Sequence, residues 1–307
     1  MIVKNGDGLL RRLSRQKALQ AMALPGIIWM ILFNYIPMYG VIIAFKEFRI
    51  IHSINSAPWV GLMHFREIFR DAEFFSVMKN TLGISVLKLA IAFPLPIIFA
   101  LMLNEIRSRN FKRWVQTISY LPHFLSWVVL GGIMINWFSD NGFINELLMK
   151  LHLTREPISF LGRPEGFWLL AVLSDTWKEM GWGAIIYLAA ISGIPPELYE
   201  AAVVDGANRI QKIIYITVPS IAGTITILLI LAISGILNTN FDQMLVLNNP
   251  LNHEASNVID LYVYRVGIRG LRFSYSTAVG LFKAVIALIL LLGANGLSKK
   301  LQNRSLF

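Results

Sequence analysis

The sequence predicts an all-α integral membrane protein with six transmembrane helices. Hydrophobic residues make up 55% of the 307 residues and charged residues only 15%, whereas an ordinary soluble domain is roughly 45–50% apolar. Six apolar runs reach the length of about 20 residues that a hydrocarbon core about 30 Å thick requires. The strict alternation that is typical of membrane β-barrel strands is absent. The six runs are 24–45, 77–103, 116–138, 166–191, 220–247 and 274–298.

The N-terminal segment 1–20 is basic and precedes the first run. That run is longer than the core of a signal peptide and is not followed by a small-residue cleavage site, so it is expected to stay as a membrane helix. Pro25 and Pro37 predict a kink in it. The expected organisation is therefore a basic cytoplasmic segment 1–20, a six-helix membrane domain 21–298 and a cytoplasmic tail 299–307.

The distribution of charge predicts the orientation of the helices. With the N-terminus inside, the cytoplasmic segments 1–20, 104–115, 192–219 and 299–307 hold 14 Lys and Arg residues against 5 Asp and Glu residues. The external segments 46–76, 139–165 and 248–272 hold 10 of each kind. This asymmetry is the positive-inside bias of membrane proteins. It explains nearly all of the net charge of +10, and it argues against nucleic acid as a partner.

The external segment 46–76 and the next two runs carry further local signals. The pattern around Phe65, Ile68, Phe69 and Phe74 predicts an amphipathic helix on the membrane surface. Pro94 and Pro96 break the hydrogen bonding of the second run, which also contains Lys88. Gly131 and Gly132 at the centre of the third run allow close packing of a neighbouring helix.

The fourth run is unusual because it contains three charged residues, Asp175, Lys178 and Glu179. Each costs about 2.5–3.5 kcal/mol at the membrane centre, so the three are expected to face a cavity or one another. Their spacing places them on one helix face. Two interpretations stay open: a local ion pair near the outer end of the helix, or a lining of a translocation pathway. Further candidates for such a lining are Trp177, Trp182, Asn240, Asp242 and Lys283.

These residues suggest a ligand if they line a pathway. Trp137, Trp177, Trp182 and Tyr187 are candidates for stacking on sugar rings. Lys178, with Lys88 and Lys283, would add positive charge suited to an acidic sugar such as a uronate. The alternative is that each buried lysine only neutralises a nearby carboxylate.

The stretch 192–219 predicts two helices joined by a tight elbow. Pro195 and Pro196 suit the first turn of a helix, because their missing N–H groups would lack partners there in any case. Gly206 suits the left-handed conformation just past a helix end. Asn208 is a suitable N-cap for a second helix, whose apolar residues recur at helical spacing as far as Pro219.

The same stretch resembles the EAA signature of the permease subunits of ATP-binding-cassette (ABC) importers. The matching residues are Glu200, Ala201, Ala202, Gly206, Ile216 and Pro219, with Val218 where the family usually has Leu. In that family the loop is a cytoplasmic coupling helix that docks on a separate ATPase, and Asp205 lies within the matched segment. The segments P-x-Y-G near Pro37, W-V-G-L-x-H-F at 59–65 and 116–129 resemble the polysaccharide-type branch of these permeases.

The resemblance implies a type I ABC importer permease for an oligosaccharide or polysaccharide, working by alternating access in a bacterial cytoplasmic membrane. It implies as partners a second, similar permease in a heterodimer, two ATPase subunits and an external solute-binding protein. ATP and Mg²⁺ would be bound by the ATPase subunits, and this chain would hold no cofactor and catalyse no reaction.

Two other classes of function fit the sequence less well. A self-sufficient secondary transporter should show inverted repeats and paired broken helices, and no repeat is visible. A membrane-embedded enzyme would need a nucleophile or metal set with its local context. The chain has no cysteine and five scattered histidines, which exclude disulfides and zinc clusters. It also lacks a G-x-x-x-x-G-K-[ST] phosphate-binding loop, so ATP hydrolysis on this chain is not expected.

Overall fold

The computed structural model describes residues 16–51 and 53–302, and every regular element in these ranges is helical. The only β-type pairing within them is an isolated bridge between Lys46 and Trp59. The expectations for the basic residues of 1–15, for His52 and for residues 303–307 of the tail concern positions outside the described residues. The helices are α1 Lys17–Phe45, α2 Met63–Ile68, α3 Ala72–Glu105, α4 Arg109–Phe124, α5 Trp127–Trp137, α6 Phe143–Lys150, α7 Phe167–Ser192, α8 Pro196–Val204, α9 Arg209–Ser234, α10 Phe241–Leu247, α11 His253–Ser256, α12 Ile259–Tyr264 and α13 Phe273–Gln302.

Four of these helices, α1, α3, α9 and α13, are long and apolar enough to cross a membrane, and α4 with α5 makes five if the bent pair is one span. Helix α7 has 26 residues, but its three charged residues, Asp175, Lys178 and Glu179, fall within every stretch of it that is long enough to span a membrane. Each of the six apolar runs therefore contains helix, but length and composition support four or five spans and leave the count of six unconfirmed.

The third and fifth apolar runs are not single helices, contrary to expectation. Helix α4 ends at Phe124 and α5 begins at Trp127 at an angle of 99°, because Leu125 is extended and the Ser126 side chain caps α5 by accepting from the Val129 N–H. The fifth run breaks after Ser234, and Asn240 caps the separate helix α10 by accepting from the Gln243 N–H. Polar caps thus interrupt runs that hydropathy alone joins.

The region after the first membrane helix also differs in part from the prediction. A short helix does form at Met63–Ile68, but its residue Ile68 is buried and packs in a core cluster with Phe74. Phe74 belongs to α3, which begins at Ala72 rather than near residue 77. The predicted single surface helix is therefore a helical turn and the start of a membrane helix, with the apolar face turned into the protein.

Three prolines inside the long helices are each preceded by a π-helical turn. These turns are Ile31–Tyr35 before Pro37, Lys88–Ala92 before Pro94 and Ile213–Thr217 before Pro219. Proline cannot donate a backbone hydrogen bond, and its ring collides with the carbonyl four residues earlier. A wider turn accommodates that missing bond, so these helices continue through their prolines.

Helix α7 lies at the centre of the packing. Its N-terminal half joins Ile84, Trp127 and Met244 in one core cluster. Its C-terminal half joins Ala100 and Ile221 in another. Helix α7 therefore touches α3, α5, α9 and α10. It carries the charged residues Asp175, Lys178 and Glu179 and leads directly into the stretch 192–219, so it positions both groups of candidate residues.

Helix α1 has a different environment from the rest of the bundle. Residues 17–38 include no buried side chain, and Met22 is 80% exposed. Only its C-terminal part, around the buried Ala44, packs against α13. Most of the surface of α1 is thus available to lipid or to another protein.

Candidate functional site

The stretch 192–219, called the elbow below, begins with helix α8, which forms as the sequence predicts. Pro196 occupies its first turn, and the helix ends in a Schellman motif. Gly206 adopts φ +79°, its N–H donates to the Val203 carbonyl at 3.1 Å, and the Ala207 N–H donates to the Ala202 carbonyl at 2.8 Å. A side chain with a branched Cβ is strained at this φ, which is why glycine suits the position.

The second half of the elbow begins at Asn208 with a reciprocal capping box. The Gln211 N–H donates to Asn208 Oδ1 at 2.9 Å, and the Asn208 N–H donates to Gln211 Oε1 at 2.8 Å. The helix that follows does not end at Pro219 as expected. It continues as α9 to Ser234, because the π turn before Pro219 absorbs the missing hydrogen bond.

The two helices of the elbow enclose a shallow cleft of about 310 Å³. Tyr199 and Thr217 join them through a hydrogen bond of 2.9 Å between their hydroxyl groups. The elbow also exposes large apolar side chains: Val204 is 87% exposed and Tyr215, which lines the cleft, is 74% exposed. The cleft is lined by Ala202, Asp205, Gly206, Ala207, Gln211, Lys212, Tyr215 and Ile216.

Four of the residues singled out in the sequence thus lie at this cleft, namely Ala202, Asp205, Gly206 and Ile216. Glu200, Ala201 and Pro219 are exposed on the same two helices. The elbow is consequently a compact, partly apolar surface with small residues at its centre, which is a shape that permits close approach of another protein.

Asp175 does not pair with the other two charged residues of α7, although the spacing allows it. Asp175 Oδ2 lies 2.8 Å from Lys88 Nζ on α3, and Asp175 Oδ1 accepts from the Asn240 side chain at 3.3 Å. The expected pair between Asp175 and Lys178 does not form. Helical spacing makes that pair possible, but the closer partners come from other helices.

Lys178 instead holds the bend between α4 and α5. Its ammonium group, on a side chain only 7% exposed, donates to the His123 carbonyl and to Glu179 Oε1, both at 2.8 Å. Glu179 Oε2 lies 2.6 Å from His123 Nδ1. The His123 ring stacks on Trp182 at 4.4 Å with the planes 2° apart. Sequence reasoning missed His123, because only the fold brings it to α7.

The remaining candidate residues are spread over the molecule. Lys283 pairs with Asp260 at 2.5 Å, and Asp242 is exposed on α10. Trp177 lines a groove, whereas Trp182 stacks on His123. Five positions of helix separate these two by about 140° around the axis of α7. Tyr187 is buried, so the four aromatic residues do not form one sugar platform.

The groove that contains Trp177 has a volume of about 940 Å³ and lies between α5, α7 and residues 144–166. Trp137 at the end of α5 and the next residue, Phe138, contribute to it, and Arg163 and Glu165 also line it. Its lining is mostly aliphatic and aromatic. Such a surface suits an apolar neighbour better than a polar sugar chain.

Comparison with known proteins gives a consistent picture. The family described as "Binding-protein-dependent transport system inner membrane component" matches residues 92–304. The chain is 45% identical over 300 residues to the polygalacturonan/rhamnogalacturonan transport system permease protein YteP of Bacillus subtilis (strain 168), covering 97% of this chain and 93% of that protein.

Two solved structures are similar to the whole chain. One is a bacterial ABC transporter involved in the import of the acidic polysaccharide alginate, with a TM-score of 0.88 and 41% identity over 96% of this chain and 99% of that chain. The other is a bacterial alginate ABC transporter in complex with an alginate pentasaccharide-bound periplasmic protein. Its TM-score is 0.89, with 40% identity over 98% of this chain and 100% of that chain.

Proposed function

The chain belongs to the binding-protein-dependent transport system inner membrane component family, and on that basis we propose that it forms half of the translocation pathway of an importer for oligosaccharides or polysaccharides. It is a multi-pass inner-membrane protein and a permease of an ABC importer that works with a solute-binding protein. Permeases of this kind are the non-catalytic membrane subunits of their systems. The single observation that carries the proposal is the similarity along almost the entire length to permeases of glycan importers.

The elbow is proposed to be the coupling element that docks on an ATPase subunit. Its small residues at a cleft, its exposed Val204 and Tyr215 and its rigid caps at Gly206 and Asn208 support this role. A well-capped surface element transmits force without unfolding. ATP and Mg²⁺ would be held by the ATPase, and two such subunits would serve the two permeases.

The proposed topology has six membrane helices, with α7 as the sixth beside the five that length and composition support. The asymmetry of Lys and Arg residues supports a cytoplasmic location for both termini and for the segments 104–115 and 192–219. Each of the three charged residues of α7 has an oppositely charged group or a hydrogen-bond partner in the structure. Pairing lowers the cost of charge in the membrane.

A second permease is proposed as the partner within the membrane, in a heterodimer. The largely exposed α1 supports this, because a helix with no buried residue over 17–38 gains little from its own chain. The apolar groove beside Trp177 is a further surface without a neighbour in this chain. The pathway itself would run between the two permeases, and the candidate residues near it remain Asp175, Trp177, Lys178, Glu179, Trp182, Asn240, Asp242 and Lys283.

The proposed substrate is an acidic, uronate-type glycan. The support comes from relatives whose names specify polygalacturonan/rhamnogalacturonan and alginate. The buried lysines add little to it, since Lys88 and Lys283 each lie within 2.8 Å of a carboxylate. Their positive charge is therefore already balanced. A self-sufficient secondary transporter is not favoured, because the chain belongs to a family of binding-protein-dependent systems.

Uptake by the reconstituted complex tests this proposal. The complex purified through this chain, with its ATPase and binding protein, is placed in proteoliposomes and offered oligogalacturonates and their methyl-esterified counterparts of equal length. We expect uptake that requires ATP and the binding protein and that favours the charged oligomer. Uptake without ATP would contradict the importer class, and equal uptake of the two oligomers would contradict the acidic specificity.

A further inference from the structure

The break between α9 and α10, residues 235–240, is held in place by two carboxylates. At its end, the Asn240 side chain donates to Asp175 Oδ1 at 3.3 Å, while Asp175 Oδ2 pairs with Lys88 at 2.8 Å. The preceding residue, Thr239, donates to Asp260 Oδ2 at 3.3 Å, while Asp260 Oδ1 pairs with Lys283 at 2.5 Å. Two consecutive residues of the break are thus each tied to a carboxylate that also binds a lysine.

These ties connect the break to four other helices. Asp175 lies on α7, Lys88 on α3, Asp260 on α12 and Lys283 on α13. A further hydrogen bond joins Ser85 of α3 to the Ile236 carbonyl. Non-helical backbone inside a membrane protein is tolerated where its polar groups are satisfied by the protein, and this break meets that condition through charged partners.

The break also lies at the far end of a closed path that begins at the elbow. Helix α7 runs into the elbow and α9 runs out of it, so a movement of the elbow displaces both. The path closes beyond the end of α9 at Ser234, because Asn240 at the end of the break binds Asp175 of α7, and the Gln243 side chain of α10 donates to the Ala171 carbonyl at 2.7 Å and to Ser174 Oγ at 2.9 Å. The path therefore runs through the break, so displacement of α7 reaches residues 235–240.

We propose that the bridges Lys88–Asp175–Asn240 and Lys283–Asp260–Thr239 form a latch that transmits movement of the elbow to the break. The inference rests on the proposed docking of an ATPase at the elbow. Within it, Asp175, Asp260 and the two lysines are positioning residues. Their role is to keep the break attached to α7 and α13 while those helices move.

The burial of the carboxylates fits this role. The side chains of Asp175 and Asp260 are 13% and 24% exposed, so a carboxylate without its lysine would be poorly solvated. Removal of one partner from a buried pair is strongly destabilising, whereas neutral replacement of both is often tolerated. The decisive variant therefore leaves the ion pairs intact and removes only the ties to the break.

Such a variant combines Thr239→Val with Asn240→Ser. Valine keeps the shape of threonine without its hydroxyl group, and serine retains the capping preference that α10 needs while being too short for Asp175. A second variant, Lys88→Met with Asp175→Asn, replaces one ion pair by neutral groups. The control is Lys150→Met with Glu146→Gln, an exposed pair 3.9 Å apart on α6.

The experiment uses two reporter cysteines in the otherwise cysteine-free chain, one at Val204 on the elbow and one at Asn238 in the break. Both are exposed. Labelling rates are compared in the whole complex before and after trapping with ATP and vanadate. In the wild type and the control, trapping is expected to change both rates.

In the two latch variants, the change in labelling rate that trapping causes at Asn238 is expected to be about tenfold smaller than in the wild type, within the range that couplings between sites usually span. The change at Val204 is expected to persist. An undiminished response at Asn238 in Thr239→Val/Asn240→Ser would overturn the latch and leave docking intact. Absence of any response at Val204 in the wild type would overturn the docking proposal, and the latch with it.

Discussion

At the scale of single residues, Asp71 joins three helices, α3, α12 and α13. Its carboxylate caps α3 by accepting from the Glu73 N–H at 2.9 Å. It also accepts from the hydroxyl groups of Tyr262 at 2.5 Å and Tyr275 at 3.1 Å. Burial raises the pKa of Asp71, but the hydrogen bonds from Tyr262 and Glu73 outweigh it, so the net pKa lies below the usual 3.8.

A carboxyl group whose pKa is lowered by folding stabilises the protein above its unfolded pKa, and this contribution is lost as the pH falls through the folded pKa. We expect Asp71→Asn to lower the stability of the purified complex at pH 7 by about 1.5–3 kcal/mol, the usual value for hydrogen bonds to a charged group. Thermal unfolding measured between pH 7 and pH values below 3.8 checks this.

The difference between the wild type and Asp71→Asn should shrink at the acid end of that range, because the wild-type carboxyl group then becomes neutral. Asp140→Asn, at an exposed position, serves as the control and should change little. A difference that stays constant as the pH falls would show that the charge of Asp71 is not what stabilises the three helices.

Single residues also mark the limit of what the sequence could predict. Hydropathy identified Asp175, Lys178 and Glu179 as charges that need partners, but it could not select those partners. Lys88 and His123 lie 87 and 55 residues away from Asp175 and Lys178 in the chain. Only tertiary packing brings them together, so spacing along α7 suggested the wrong pair.

At the scale of elements, the elbow is the part that local sequence predicts best. Its Schellman motif at Gly206 and its capping box at Asn208 depend on neighbouring residues alone. The break at 235–240 and the bend at Ser126 were missed, because an apolar run conceals a polar cap within it. The continuation of α9 beyond Pro219 was also missed, because the π turn before this proline allows the helix to pass through it.

The elbow yields a prediction with a graded outcome. Gly206→Val places a β-branched side chain at φ +79°, which is strained, whereas Gly206→Asn is tolerated at such positions. We expect Gly206→Val to lose transport and binding-protein-stimulated ATPase activity and Gly206→Asn to retain most of both. Both variants should insert into the membrane as the wild type does.

Transport and ATPase assays on the purified complexes measure this outcome, with the amount of co-purified ATPase as a second reading. Equal activity of Gly206→Val and the wild type would argue that the shape of the elbow does not matter for coupling.

At the scale of the whole molecule, the chain exposes surfaces of the kind found on a subunit of a larger complex. Helix α1 is exposed over most of its length, an apolar groove of about 940 Å³ lies open beside α7, and the elbow presents Val204 and Tyr215 to its surroundings. Surfaces of this kind are unusual on a monomer and mark contacts with other proteins or with lipid. The sequence predicted the all-helical membrane class correctly because composition and run length determine it, but the exposed surfaces became visible only in the fold.

The central claim is that the elbow faces the cytoplasm and docks on an ATPase subunit. Photo-crosslinking from a single cysteine tests it most directly, with a benzophenone group attached at Val204→Cys or at Ser56→Cys in the assembled complex; both positions are exposed. The account predicts a crosslink from residue 204 to the ATPase and none from residue 56. A crosslink to the ATPase from residue 56, or none from residue 204 in a complex that still transports, would contradict it.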